Sequence, residues 1–177
     1  LILNKPAKIA RHRETLLARY IFFHHPMFIE YRNNIIELKQ NRPLFLMPEN
    51  DNGNRITLEG GDIMMVSPEH LIVGISERTS AAAAAQLTET LFQRGLVSKV
   101  SVVKIPAKRD YMHIDTIFTQ VKKDVWVMMG LFSEQMSNHN NQSGIEKTLL
   151  GYNVEKAEIV QFSKANPDQP IHFSSLE

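Results

Sequence analysis

ITLEGGDIMMVSPEHLIVGISERT, residues 56–79, decides how the 177-residue chain is read. The segment opens on a carboxylate set against two glycines, Glu59-Gly60-Gly61-Asp62. Two apolar runs follow, Ile63–Val66 and Leu71–Ile75, joined by Ser67-Pro68-Glu69-His70, the pattern of a β-hairpin. The exit, Gly74-Ile75-Ser76-Glu77-Arg78-Thr79, leaves an arginine where a strand hands over to a helix. Glycine lets backbone approach a ligand closely and takes up angles that other residues avoid. A glutamate there is held by backbone rather than by a flexible loop, and the planar fork of arginine suits a carboxylate. An anionic and a cationic end brought near each other suit a ligand carrying both charges, such as an amino acid with a cationic side chain. The plainer reading makes Gly60-Gly61 a tight turn and Arg78 a solvated charge at a helix start.

Beyond this segment, Ser80–Arg94 reads as a helix: Ala81–Ala85 favours it, and Leu87, Leu91 and Phe92 extend an apolar face. Thr79 or Ser80 can cap its start, and Gly95 closes its end. Lys99–Ile105 reads as a buried strand ended by Pro106, so the order is β-β-α-β. The order then recurs: a hairpin over Ile114–Val121 and Asp124–Leu131, a weaker helix over Ser143–Leu150 and a strand over Ala157–Phe162. Two ββαβ units, about 58–106 and 112–163, suggest an array in which each unit alone is too small to bury its faces. The tail Ser163–Glu177, with Pro167 and Pro170, reads as loop.

Before the segment, Leu1–Lys8 suggests a short strand ended at Pro6. Helical spacing starts at Ile9 and continues through Leu16, Leu17, Tyr20, Ile21 and His24 until Pro26 stops it. Arg11, His12 and Arg13 stand in its first turns, where positive charge is mildly unfavourable and hints at an anionic partner. Met27–Leu38 is mixed, and Gln40–Arg55 carries the Asn, Gly and Pro of a loop.

Composition narrows the function. The net charge of +1 shows no basic stripe, which argues against nucleic acid. No apolar run is long enough to span a bilayer and no signal-peptide pattern is present, so a cytoplasmic protein is expected. The absence of cysteine excludes disulfides, a thiolate nucleophile and cysteine-bound metal within these residues. Because the chain opens on Leu1 and stops at Glu177 without an end signal, we expect a piece of something longer.

A second constellation, Met112-His113-Ile114-Asp115-Thr116, opens the second hairpin. In a strand His113 and Asp115 share a face, with Ile114 turned to a core. Such a pair can be a proton-transfer group beside a positioned anion. It can also be a surface pair, or two metal ligands, but no third ligand stands at matching spacing; His24, His25 and His139 qualify only by residue type. Its place in the second unit matches that of Glu59 in the first, and in a radial array equivalent strand starts converge on one centre.

Leu58-Glu59-Gly60-Gly61-Asp62, Gly74-Ile75-Ser76-Glu77-Arg78-Thr79 and His113-Ile114-Asp115-Thr116, in this order, closely resemble arginine deiminase. Arg11-His12-Arg13-Glu14-Thr15 resembles it too, and the likeness covers most of Leu1–Phe132. The resemblance implies an α/β fold, part of a five-bladed α/β propeller (pentein) built from ββαβ units. It also implies hydrolysis of L-arginine to L-citrulline and ammonia with no cofactor and no metal. Glu59 and Asp115 would bind the guanidinium and His113 would be the general acid/base. Arg78 would hold the α-carboxylate, assisted by an arginine of the helix start, Arg11 by local alignment, with Arg13 as the alternative. A thiolate attacks the guanidinium carbon in that family. Its cysteine near the C-terminus, and the Phe-x-Arg-Asp segment expected before Leu1, are absent from these residues. The chain itself is therefore expected to be silent, and to self-associate as a homo-oligomer through the faces of an unclosed propeller. A dimethylarginine hydrolase or amidinotransferase on the same fold, or a non-catalytic arginine-binding module, is the alternative.

Overall fold

A computed structural model of the chain describes residues 1–39, 56–106, 108–132 and 157–173. They form a mixed α/β structure that divides into two compact units, Leu1–Gly60 with Arg78–Leu96, and Gly61–Glu77 with Val97–Glu177.

In the first unit β1 (Ile2–Leu3) pairs in parallel with β2 (Ile36–Glu37), as the apolar start of the chain suggested. α1 (His12–His24) follows a 3₁₀ turn at Ile9–Arg11 and stops two residues before Pro26, with His25 between them extended, as expected. The residues between Pro26 and Asn34 form further 3₁₀ turns. None of the residues of α1 is buried; Leu17 and Tyr20 are 62% and 66% exposed. α2 (Ala81–Gln93) is the opposite case, with Ala83, Ala84, Leu87, Thr88 and Leu91 buried. Ser80 caps it by accepting from Ala83 N–H at 3.2 Å, and Gly95 ends it at φ 65°, the left-handed angle glycine takes without cost. The segment 56–59 is pinned by long-range bonds. Leu58 N–H donates to Lys5 O (3.1 Å), Ser80 N–H to Thr57 O (2.9 Å) and Asn4 Nδ2 to Ile56 O (2.9 Å).

The second unit is built on a five-stranded sheet ordered β3-β4-β5-β8-β9. β3 (Ile63–Ser67) and β4 (His70–Ile75) form the expected antiparallel hairpin, and β5 (Lys99–Lys104) lies parallel to β4. Leu71 to Gly74 are buried without alternation, as befits a strand flanked on both edges. Ile72, Val103, Ile105, Tyr111, Ile114, Ile117, Phe132 and Ile159 make one core cluster.

Three expectations differ from the structure. The second hairpin exists as β6 (Phe118–Lys122) and β7 (Val125–Met128), but it starts later than read, and Ile114–Thr116 is a 3₁₀ turn. His113 and Asp115 therefore do not share the face of a strand. The turn wins because its polar groups close locally: Thr116 Oγ1 donates to His113 O at 2.6 Å and Ile117 N–H to Ile114 O at 3.0 Å. Next, β8 (Glu158–Ser163) pairs antiparallel with β5, while β6 and β7 stand as a separate two-stranded sheet. Finally, the tail is not loop: β9 (Asn166–Phe173) turns back on β8. Pro167 and Pro170 are tolerated because β9 is the edge strand, where a missing N–H breaks no inner ladder. The expected loop over 40–55 and helix over 143–150 lie outside the described residues.

Candidate active site

Glu59 is the centre of the first unit's polar cluster. It ends the pinned segment 56–59, and its own N–H donates to Thr79 Oγ1 at 3.2 Å. Its side chain is 6% exposed. Oε1 accepts from Ala7 N–H at 3.1 Å and lies 3.4 Å from Arg78 Nη1; Oε2 lies 2.7 Å from Arg11 Nη1. Arg11 is positioned in turn by Glu14, one turn on, through Nε and Nη2 at 2.9–3.2 Å. The Glu14 hydrogen bonds, and then the Glu59 charge, raise the Arg11 pKa above its ordinary value. Arg78 is more deeply set than Arg11, 13% against 44% side-chain exposure. Three of the residues singled out from sequence, Glu59, Arg78 and Arg11, thus meet in one unit across separations of 48 and 19 positions. Arg11 and Arg13 are both exposed, and it is Arg11 that reaches the Glu59 carboxylate, at 2.7 Å.

The second unit places His113 and Asp115 beside Gly61. A Cβ added at Gly61 would lie 2.7 Å from His113 Cγ and Nδ1 and 2.9 Å from Asp115 Oδ2. The glycine is therefore required for space. Its φ is not positive, and neither is that of Gly60, where an added Cβ would meet nothing within 4 Å. Gly60 and Gly61 do lie in a tight 3₁₀ turn, Gly60–Asp62, as the plainer reading had it, and the close approach is made at the second glycine. His113 is half-buried and Asp115 exposed.

Sequence reasoning passed over Asp62. Its side chain is fully buried at 0% exposure; Oδ1 accepts Ile114 N–H at 3.0 Å and Oδ2 accepts the Ser76 hydroxyl at 2.7 Å. A carboxylate directly ahead of an apolar strand was the available signal. Thr79, read only as a possible helix cap, instead receives the Glu59 amide. Of the other histidines, His24 packs on Tyr20 with ring centroids 4.8 Å apart, His25 Nδ1 accepts Met27 N–H at 3.3 Å, and His139 lies outside the described residues. Among the described residues no three His, Cys, Asp or Glu side chains gather as a metal site. No described helix is long and apolar enough to cross a membrane.

A family model described as arginine deiminase matches residues 1–166. The chain belongs to the arginine deiminase family. The arginine deiminase of Borrelia garinii subsp. bavariensis is 37% identical over 125 residues, 70% of this chain and 27% of that protein. The arginine deiminase of Bacillus cereus (strain B4264) is 35% identical over 141 residues, 79% of this chain and 31% of that protein. The chain thus spans about a quarter to a third of the length of these curated relatives. Among solved structures it is similar in fold to a mutant DDAH from Pseudomonas aeruginosa complexed with citrulline. That match has a TM-score of 0.52 at 23% identity and covers 78% of this chain and 46% of that one. A dimethylarginine dimethylaminohydrolase adduct with 4-chloro-2-hydroxymethylpyridine matches with a TM-score of 0.51 at 23% identity, over 78% and 47% of the two chains.

Proposed function

We propose that this chain is part of an arginine deiminase, which converts L-arginine and water to L-citrulline and ammonia, and that it contributes to a five-bladed α/β propeller. The carrying observation is the Glu59 carboxylate, buried and within 2.7 Å of one guanidinium and 3.4 Å of another. A carboxylate held in this way is a guanidinium receptor: two oxygens offer charge-assisted bonds to a planar cation. An incoming arginine can exchange partners with the resident arginines. Its guanidinium takes Glu59, its α-carboxylate takes Arg78 and Arg11, and every charge keeps a partner.

The remaining roles follow from the family pattern. Asp115 is the second carboxylate on the guanidinium, and His113 moves protons. A thiolate from outside these residues attacks the guanidinium carbon, and His113 protonates the departing ammonia. Water then attacks the thiouronium carbon, His113 takes its proton, and citrulline leaves as the thiolate is restored. The carboxylates orient the carbon and hold its charge, which is where positioning lowers the barrier.

The test is to incubate the full gene product separately with L-arginine and with dimethylarginine. Citrulline and ammonia in equal amounts from arginine, with slow or no turnover of dimethylarginine, is the expected result. Preference for dimethylarginine transfers the chain to the related hydrolase reading. Arginine binding without any citrulline favours a non-catalytic module.

A further inference from the structure

The geometry points to Asp62 as a positioning residue that sets the turn carrying His113 and Asp115. This inference rests on the proton-transfer role proposed for His113. Asp62 is 0% exposed, yet it sits on the turn immediately before β3 and reaches two other parts of the second unit. One oxygen accepts the Ile114 amide at 3.0 Å, and the other accepts the Ser76 hydroxyl, just past the end of β4, at 2.7 Å. Ile114 stands between His113 and Asp115, is 0% exposed and belongs to the core cluster. Its amide is therefore fixed from one side by Asp62 while its side chain is fixed from the other by packing. That peptide plane includes the Cα atoms of His113 and Ile114, so His113 is held directly and Asp115 through the anchored Ile114 that precedes it.

β4 is shaped to admit this carboxylate. A Cβ at Gly74 would lie 2.6 Å from Asp62 Oδ1, 3.3 Å from Asp62 Cγ and 3.0 Å from Ile114 Cβ. A merely adequate turn needs none of this: Thr116 and Ile117 already close it through bonds to His113 and Ile114 carbonyls. The bond from Asp62 adds location. It ties the turn to the strand pair beside it and so sets where the imidazole stands.

The bonding pattern defines a discriminating pair of variants. In Asp62→Asn the amide oxygen can still accept from Ile114, and the amide nitrogen can donate to Ser76 Oγ. Asp62→Ala loses both. In the full gene product we expect Asp62→Ala to lower kcat about 100-fold with KM within a few fold, the cost of a misplaced catalytic group. Asp62→Asn should restore kcat to within about fivefold of wild type, and Ser76→Ala should cost about fivefold, the size of one hydrogen bond. Wild-type kcat in folded Asp62→Ala overturns the inference. So does Asp62→Asn as impaired as the alanine variant, because the charge rather than the bonding pattern would then matter. If Asp62→Ala does not fold, the other two variants decide: a 100-fold loss in Asp62→Asn, or no loss in Ser76→Ala, overturns it. His113→Ala separates this inference from the one beneath it. Activity surviving His113→Ala removes the proton-transfer role, whereas an inactive His113→Ala beside an active Asp62→Ala removes only the positioning.

Discussion

Gly61→Ala should cripple the protein where Gly60→Ala, one residue away, should not. The added methyl at Gly61 would sit 2.7 Å from His113 Cγ and Nδ1 and 2.9 Å from Asp115 Oδ2. Carbon atoms rest near 3.5 Å, so the imidazole must retreat by about 0.8 Å. Cγ is the root of the ring, not a flexible tip, so a ring flip about χ2 leaves it in place and only a new χ1 or a backbone shift, either of which moves the whole imidazole, clears the contact. Overpacking of this kind costs roughly 1–3 kcal/mol of stability. A shift near 1 Å in a reacting group costs on the order of 100-fold in rate, about 2.7 kcal/mol of barrier. At Gly60 the methyl meets nothing within 4 Å, so stability should stay within about 0.5 kcal/mol. The assay is kcat for citrulline release by both variants of the full gene product, with thermal unfolding of each. Equal activity in the two variants, or the larger loss at Gly60, would refute the argument that His113 is packed against this glycine.

Other consequences are open to measurement. Lys5 is 1% exposed, burial lowers its pKa, and its Nζ has no hydrogen-bond partner among the described residues, so Lys5→Met should stabilise by about 1–3 kcal/mol in thermal unfolding. The gain should shrink as pH rises toward 10.5, because the unfolded state binds the extra proton below that value and neither state binds it above. His70 is held below its ordinary 6.5 by burial and then by Lys99, and its Nε2 lies 2.8 Å from Ser101 Oγ, which also accepts from Gln161. The unfolded state therefore takes up the proton first as pH falls through 6.5, stability drops over that window, and His70→Gln should flatten the pH dependence of unfolding. Arg78→Ala should raise KM for arginine more than it lowers kcat, and leave turnover of methylguanidine, which has no carboxylate, unchanged; equal losses on both substrates would remove the carboxylate role.

What the sequence made legible is what local chemistry decides. The Ile63–Ser67 and His70–Ile75 hairpin, the Ser80-capped helix and the apolar strand at Lys99–Lys104 each carry their own pattern, turn residues and cap. Glu59, Arg78 and Arg11 were legible as residues, and the hairpin already brought the Glu59 and Arg78 ends near each other, but the meeting with Arg11 was not legible, because an ion pair across 48 positions leaves no periodic trace. His113-x-Asp115 read as strand from its alternation, while the Asp62 carboxylate on the intervening amide belongs to a distant part of the chain. Asp62 was passed over: its place directly ahead of an apolar strand was the only local signal, and the partners that bury it, Ser76 and Ile114, lie 14 and 52 positions away. The tail misled through its prolines, since composition does not say which strand will lie at a sheet edge.

The central claim is that Glu59 receives the guanidinium of the substrate. The most direct measurement is citrulline release from L-arginine by the full gene product and by its Glu59→Gln variant, at matched concentrations of folded protein. Glutamine keeps the size and removes the charge from a site where the loss of one buried partner is worth roughly 3–5 kcal/mol, so the rate should fall by at least about 100-fold. A Glu59→Gln variant that releases citrulline at the wild-type rate would contradict the account.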